Sequence, residues 1–234
     1  MSAAPRRRRG PTSERRPEAC ACAPNTRMTH PCPLERIVLA SASPRRLQLL
    51  RSLGLQVETA ISGYGEPKLD CTPIELAGAH ARAKLEAVAR TRGSDDPPIV
   101  AADTVVDVDG AAWGKPSDAR EAESMLRTLS GRGHVVHTAF ALAAAGTTVV
   151  ETSSTLVGFY RLSEMEIAEY VASGEPFDKA GAYGIQGRAA ALVERVDGDF
   201  YTVVGFPLAR FVRALRRLGF SLPAANPTQL QPEA

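Results

Sequence analysis

Several things are scarce in this 234-residue sequence, and each scarcity removes a class of function. No apolar run approaches the roughly 20 residues that span a bilayer. The arginines near the N-terminus are not followed by the apolar segment of a signal peptide, so neither a transmembrane nor a secreted protein is expected. Cys20, Cys22, Cys32 and Cys71 include no C-x-x-C pair, and three of the four precede residue 34. That argues against a zinc site and against a disulfide framework, and it fits a reducing cytoplasm. Net charge is scarce too: a formal +2, with much of the positive charge in "RRRRGPTSERR", does not call for a nucleic-acid or membrane partner. There is no internal repeat and no G-x-S-x-G elbow of a serine hydrolase. "GAAWGK" is not a Walker-type loop, because its spacing is one residue short and Pro116 follows where a magnesium-binding Ser or Thr belongs.

Residues 1–33, rich in Pro, Arg and Ala without apolar periodicity, read as a disordered basic leader, with Met28 a candidate start. Residues 34–222 read as one folded domain and 223–234 as a flexible tail. "RIVLA" is a short buried strand. The helix after it takes Ser43 as N-cap, Pro44 as its first residue, Leu47, Leu50 and Leu53 as its inner face and Gly54 as its stop. "CTPIELAGAHARAKLEAVAR" is an amphipathic helix expected to turn Leu76, Ala79, Ala83 and Val88 inward, with Lys84 near the edge of that face. "PPIVAADTVVDVDG" is a second strand, closed by a turn at Asp109-Gly110. Ser117 or Asp118 caps a helix burying Ala122, Met125, Leu126 and Leu129, and strands follow on either side of Gly146. A Ser163/Glu166 capping box, two short strands "ALVERV" and "FYTVVG", and a helix with Leu208, Phe211, Val212, Leu215 and Leu218 inside complete the pattern. Early β-α-α-β order with later antiparallel strands predicts an α/β (mixed α+β) domain. Its centre is one mixed, twisted sheet flanked by helices, with ligands at loops beyond strand ends.

The chemistry concentrates in a few places. Arg45 and Arg46 occupy a helix first turn, where the macrodipole disfavours a cation by up to about 1 kcal/mol. With the hydroxyls of Ser41 and Ser43 and the free first-turn amides they would make a phosphate site; the alternative is that their stems cover apolar surface. Asp103 follows the apolar run "IVAA" and must be paired, hydrogen-bonded or metal-bound if it is buried. Glu66, in "SGYGEP", is a loop carboxylate that could share a hard cation with it. Lys84 and Lys115 are candidate phosphate partners. "EPFDKAGAYGIQG" is too polar and glycine-rich for a core element and reads as a binding loop, in which Gln186 offers the acceptor and donors that a pyrimidine edge needs. His134 and His137, at odd spacing on a strand, point to opposite faces and are not paired metal ligands.

Taken in order, "LASASPRRLQLL", "SGYGE", "AADTVV", "GKP", "MLRTLSGRGHVVHT", "SGEPFDKAGAYGIQG" and "GDFYTVVGFPL" resemble the Maf family of nucleoside triphosphate pyrophosphatases, from about Leu34 to Leu222. "AGAYGIQG" and "GDFYTVVGFPL" resemble the branch preferring dTTP and UTP rather than the branch acting on 7-methyl-GTP. The resemblance implies a Maf/ITPase-like fold and a hydrolase of acid anhydrides that converts a nucleoside triphosphate to monophosphate and diphosphate. It implies Asp103 as catalytic base, and Arg45, Thr104 and Gln186 at positions tied to substrate choice. Ser41, Ser43, Arg46, Lys84 and Lys115 match positions around the triphosphate. Glu66 matches a site carboxylate, which with Asp103 is the expected ligand of Mg2+ or Mn2+. A homodimer, a cytoplasmic setting, nucleotide house-cleaning and a link to cell-division arrest belong to the same expectation. The rival readings are a 7-methyl-GTP-type pyrophosphatase and a non-catalytic nucleotide sensor that touches nucleic acid through the leader.

Overall fold

A computed structural model of the chain describes residues 31–93 and 96–224. Most of the leader and nearly all of the tail, including Cys20, Cys22 and Met28, therefore lie outside the described residues. In chain order the elements are β1 (Cys32–Pro33), β2 (Arg36–Leu39), α1 (Pro44–Arg51), β3 (Gln56–Thr59), α2 (Pro73–Ala89), β4 (Ile99–Val108), β5 (Ala111–Trp113) and α3 (Ala119–Leu129). They continue with β6 (Gly133–Ala144), β7 (Thr147–Phe159), α4 (Glu164–Ala172), β8 (Val193–Asp197), α5 (Phe200–Val204), α6 (Leu208–Arg217) and β9 (Phe220–Ser221). Among the described residues no helix is long and apolar enough to cross a membrane.

The expected central mixed sheet is present, in the order β3-β2-β4-β6-β7-β8 with β5 beside β4. β2 runs parallel to β3 and β4, while β4, β6, β7 and β8 are successively antiparallel. Side-chain alternation sends Ala101, Val105, Ala139 and Ala141 to one face, where Ala77, Ala81, Leu85 and Val88 of α2 cover them. The opposite face carries two clusters. One gathers Val100, Ala102, Phe140 and Leu142 with α1 and α6; the other gathers Val106, Val108, Val136 and Val157 with α3 and α4.

One topological detail places the site. β2 reaches only Ile99 and Val100 of β4, and β5 pairs only with Val106 to Val108. Between these contacts β4 has β6 on one edge and no described strand on the other. The chain leaving β2 turns into α1 beside this gap, so the sheet opens at a strand's carboxyl end, where open α/β sheets hold ligands.

Several local expectations differ from what the structure shows. "FYTVVG" is not a strand but α5: Asp199 caps it by accepting from the Tyr201 and Thr202 amides, and Gly205 at φ 116° ends it. Cap and stop outweigh a β-branched composition. On α2 the inward face is Ala77, Ala81, Lys84, Leu85 and Val88 rather than Leu76, Ala79 and Ala83, so Lys84 is buried within that face, not at its edge. Cys32–Pro33, in the stretch read as leader, pairs in parallel with Phe220–Ser221. Of the two expected cap candidates for α3, Asp118 takes the position, its side chain accepting from Glu121 N.

Candidate active site

Asp103 leaves the middle of β4 on the α2 side and is 7% exposed. Lys84, rising from α2, puts Nζ 2.6 Å from Asp103 Oδ1 and 2.6 Å from Glu66 Oε1. A lysine at that place satisfies the requirement that a buried carboxylate be paired. Glu66 is half exposed, and its backbone sits at φ 49°, a left-handed conformation that non-glycine residues adopt at a cost of roughly 1–2 kcal/mol. Burial disfavours its ionised form, but the hydrogen bond from Lys84 and the charges of Lys84 and Lys115 outweigh that, and its pKa lies below the usual glutamate range. Strain held beside paired charges is a mark of a built site.

On the other face of β4, Thr104 stands between the two apolar clusters. Arg46 reaches across from α1, donating from Nε to Gly205 O (2.9 Å), from Nη1 to Ser41 Oγ (3.3 Å) and from Nη2 to Thr104 Oγ1 (3.1 Å). Desolvation lowers the Arg46 pKa from its ordinary value, and the nearby Asp103 carboxylate works against that shift. Thr104 Oγ1 lies 3.0 Å from Thr138 Oγ1, and Thr138 Oγ1 donates to Thr202 O at 2.7 Å. Thr138 has one proton and gives it to the carbonyl, so Thr104 is the donor between the hydroxyls. The chain runs Arg46 to Thr104 to Thr138 to Thr202, and Thr104 can offer a ligand only a lone pair.

Arg45 is freer. Its Nη1 is 3.5 Å from Asp178 Oδ2, and about a third of its side chain is exposed. Ser43 makes no side-chain cap bond, while Ser41 Oγ accepts from Ser43 N at 3.2 Å. One cavity of about 740 Å³ has Ser43, Arg45, Arg46, Glu66, Lys84, Asp103, Thr104, Lys115 and Gln186 in its lining. Ser41 touches the site only through its bonds to Arg46 and Ser43.

The far wall is the "EPFDKAGAYGIQG" segment, coiled into short 3-10 turns at Glu175–Asp178 and Ala180–Ala182. Gly181, at φ 70°, lies where a Cβ would sit 3.0 Å from both methyls of Val106, so the loop is pressed onto β4. Lys179 Nζ bonds Asp178 Oδ1 (2.5 Å) and Glu175 O (2.6 Å), and its stem runs over Gly184. Trp113, Val136, Tyr183 and Ile185 give this end of the cavity an apolar lining next to Gln186. Lys68, Lys179, Glu175 and Asp178 also border the cavity, and no motif in the sequence marks them individually as site residues. The polarity of the quoted loop was a signal for the last three; nothing marked Lys68.

Among the described residues no group of three or more His, Cys, Asp or Glu side chains is placed to hold a metal unaided. Glu66 Oε1 and Asp103 Oδ1 both meet Lys84 Nζ, which leaves the second oxygen of each carboxylate as a metal donor. That donor set fits a hard cation such as Mg2+, which takes one or two protein carboxylates and completes its shell with phosphate oxygens. His134 and His137 do face opposite ways: His134 Nε2 meets Tyr183 Oη, while His137 lies between Ser154 and Asp107.

The sequence model of the "Maf-like protein" family matches residues 36–218. The chain is 51% identical over 184 residues to the "dTTP/UTP pyrophosphatase" of Thermus thermophilus, covering 79% of this chain and 95% of that one. It is 46% identical over 195 residues to the protein of the same name from Chromobacterium violaceum, covering 80% and 97%. Among solved structures, a nucleoside-triphosphatase, dITP/XTP pyrophosphatase, of Mycobacterium abscessus overlaps 78% of this chain and 97% of its own at a TM-score of 0.39 and 18% identity, too distant a likeness to add to these.

Proposed function

Because the chain belongs to the family of Maf-like proteins, we propose that it hydrolyses dTTP and UTP between the α and β phosphates, giving the nucleoside monophosphate and diphosphate. The observation that carries this reading is the buried Lys84–Asp103 pair at the open edge of β4, in one cavity with Arg45, Lys115 and Gln186. Lys84 engages Oδ1 of Asp103 and fixes the carboxylate; its other oxygen accepts the proton of the attacking water. Water oxygen bonds to the α phosphorus as the bond to the α–β bridging oxygen breaks, and the electron pair leaves with diphosphate. Arg45, Lys84 and Lys115 hold the phosphates and face the charge that develops there. Ser43 and the first-turn amides of α1 add neutral donors, while Arg46 and Ser41 hold the helix start in place. A divalent cation, Mg2+ or Mn2+, held by Glu66, Asp103 and the substrate's phosphate oxygens, supplies charge neutralisation when bound.

Gln186 reads the base with both its acceptor and its donors. Thr104, able only to accept, suits a ring N–H such as uracil and thymine carry and cytosine lacks. The ordered domain of residues 34–222, a cytoplasmic setting and a homodimer belong to the same proposal. The test is release of diphosphate from a panel of UTP, dTTP, CTP, GTP and 7-methyl-GTP with Mg2+ or Mn2+, with Asp103→Asn as control. Turnover of UTP and dTTP that is lost in the variant is expected. Full activity in the variant removes Asp103 as base, a preference for 7-methyl-GTP moves the chain to the other branch, and binding without turnover makes it a sensor.

A further inference from the structure

The segment that carries Gln186 is tied to the sheet by a histidine for which the reaction has no use. His134 stands on β6, 3% exposed, and its Nε2 is 2.7 Å from the phenol oxygen of Tyr183, three residues before Gln186. We propose that His134 is a positioning residue for nucleotide recognition, acting through Tyr183 to hold Gly184, Ile185 and Gln186 against the nucleobase. This rests on the reading that Gln186 contacts the base.

Four observations support it. The Tyr183 ring is gripped on two sides, edge-on to His134 (centroids 5.2 Å, 84°) and to Phe159 (4.8 Å, 83°), and His134 and Phe159 also meet edge-on at 5.3 Å. The phenol is thus fixed to two neighbouring strands, and the loop inherits their rigidity. Second, Ala182, just before Tyr183, stands at φ 60°, a left-handed conformation that a residue with a Cβ keeps only when its surroundings over-determine it. Gly181 against Val106 on one side and Tyr183 on His134 on the other do so.

Third, His134 Nδ1 is buried with no hydrogen-bond partner among the described residues. An apolar ring would fill the same space without stranding a polar atom, so the imidazole is explained by what its Nε2 does. Fourth, burial, helped by the nearby Arg132 cation, pushes the His134 pKa down to about 4. At neutral pH the ring is uncharged, and its contact with Tyr183 is a fixed neutral hydrogen bond rather than a proton switch.

The test uses the full chain in steady-state assays of diphosphate release from UTP and GTP. Tyr183→Phe and His134→Phe are each expected to raise KM for UTP about tenfold, with kcat within about threefold, the scale of one lost hydrogen bond. The UTP-to-GTP ratio of kcat/KM narrows correspondingly. The double variant is no worse than either single one, because both remove one interaction. His134→Gln, whose amide can meet the phenol, recovers most of the loss. Lowered thermal stability with unchanged KM and discrimination, or effects that add in the double variant, would overturn the proposal. If His134→Phe does not fold, Tyr183→Phe, which removes one oxygen, carries the test. Wild-type protein that releases diphosphate from no triphosphate would instead refute the reaction on which the inference stands.

Discussion

Lys84 Nζ and Asp103 Oδ1 are 2.6 Å apart, one on a helix and the other on the strand it covers, with side chains 11% and 9% exposed. Removing one partner of such a pair leaves the other buried and uncompensated. Lys84→Met should therefore lower stability by about 3 kcal/mol, read as a shifted urea midpoint. Asp103→Asn still offers Lys84 an oxygen, so it should keep most of its stability while losing turnover. Similar stability losses in both variants would show that the charge pair itself, rather than the stranded carboxylate, sets the cost.

The two arginines of the first turn should separate in the same way. Arg46 binds Gly205, Ser41 and Thr104 through three different nitrogens, a fork that lysine cannot copy. Arg46→Lys should cost about 1–2 kcal/mol in thermal or urea unfolding and weaken turnover as α5 and Thr104 shift. Arg45 has one long contact to Asp178, so Arg45→Lys should leave stability within about 0.5 kcal/mol and appear in KM.

Acid stability should report His134. Its folded pKa of about 4 lies below the ordinary 6.5, so as pH falls the unfolded chain takes up the proton first. The contribution is fully present above about pH 6.5 and is lost as pH falls toward 4, by of the order of 3 kcal/mol in total. Urea unfolding at a series of pH values should show this slope in the wild type and a flatter one in His134→Gln. Equal slopes would mean that His134 titrates normally in the fold.

The readable parts of this chain were those with local causes. The Ser43-Pro44 start and Gly54 stop of α1, the Ser163/Glu166 box of α4 and the Asp109-Gly110 turn stand where their residues require. Arg45, Glu66, Lys84, Asp103, Lys115 and Gln186 have no such local cause, and only the fold brings them to one cavity. What escaped depended on neighbours. β3 is a largely exposed edge strand with no buried residue, visible only through its pairing with β2. The rotation of α2 differs from its apolar pattern because Lys84, polar by type, is buried by its partner on β4. The role of Arg46 was hidden because its partners lie up to 159 positions away in the chain.

Gly181 makes the last case, since two separate costs act on one atom. At φ 70° an alanine is strained by roughly 1–2 kcal/mol, and its Cβ would stand 3.0 Å from both Val106 methyls on a strand held by β5 and β6. Because β4 cannot retreat, the loop must, and Tyr183 and Gln186 move with it. Gly181→Ala should therefore lose about 2–3 kcal/mol of stability and raise KM for the nucleotide. Adding Val106→Ala removes the two 3.0 Å methyl contacts, leaving the 3.2 Å contact with its Cβ and the dihedral strain. If steric overlap moves the loop, the double variant recovers KM while remaining less stable than wild type. If KM stays high once the methyls are gone, their contact with the loop is not what sets its position, and the backbone angle with the residual Cβ contact is.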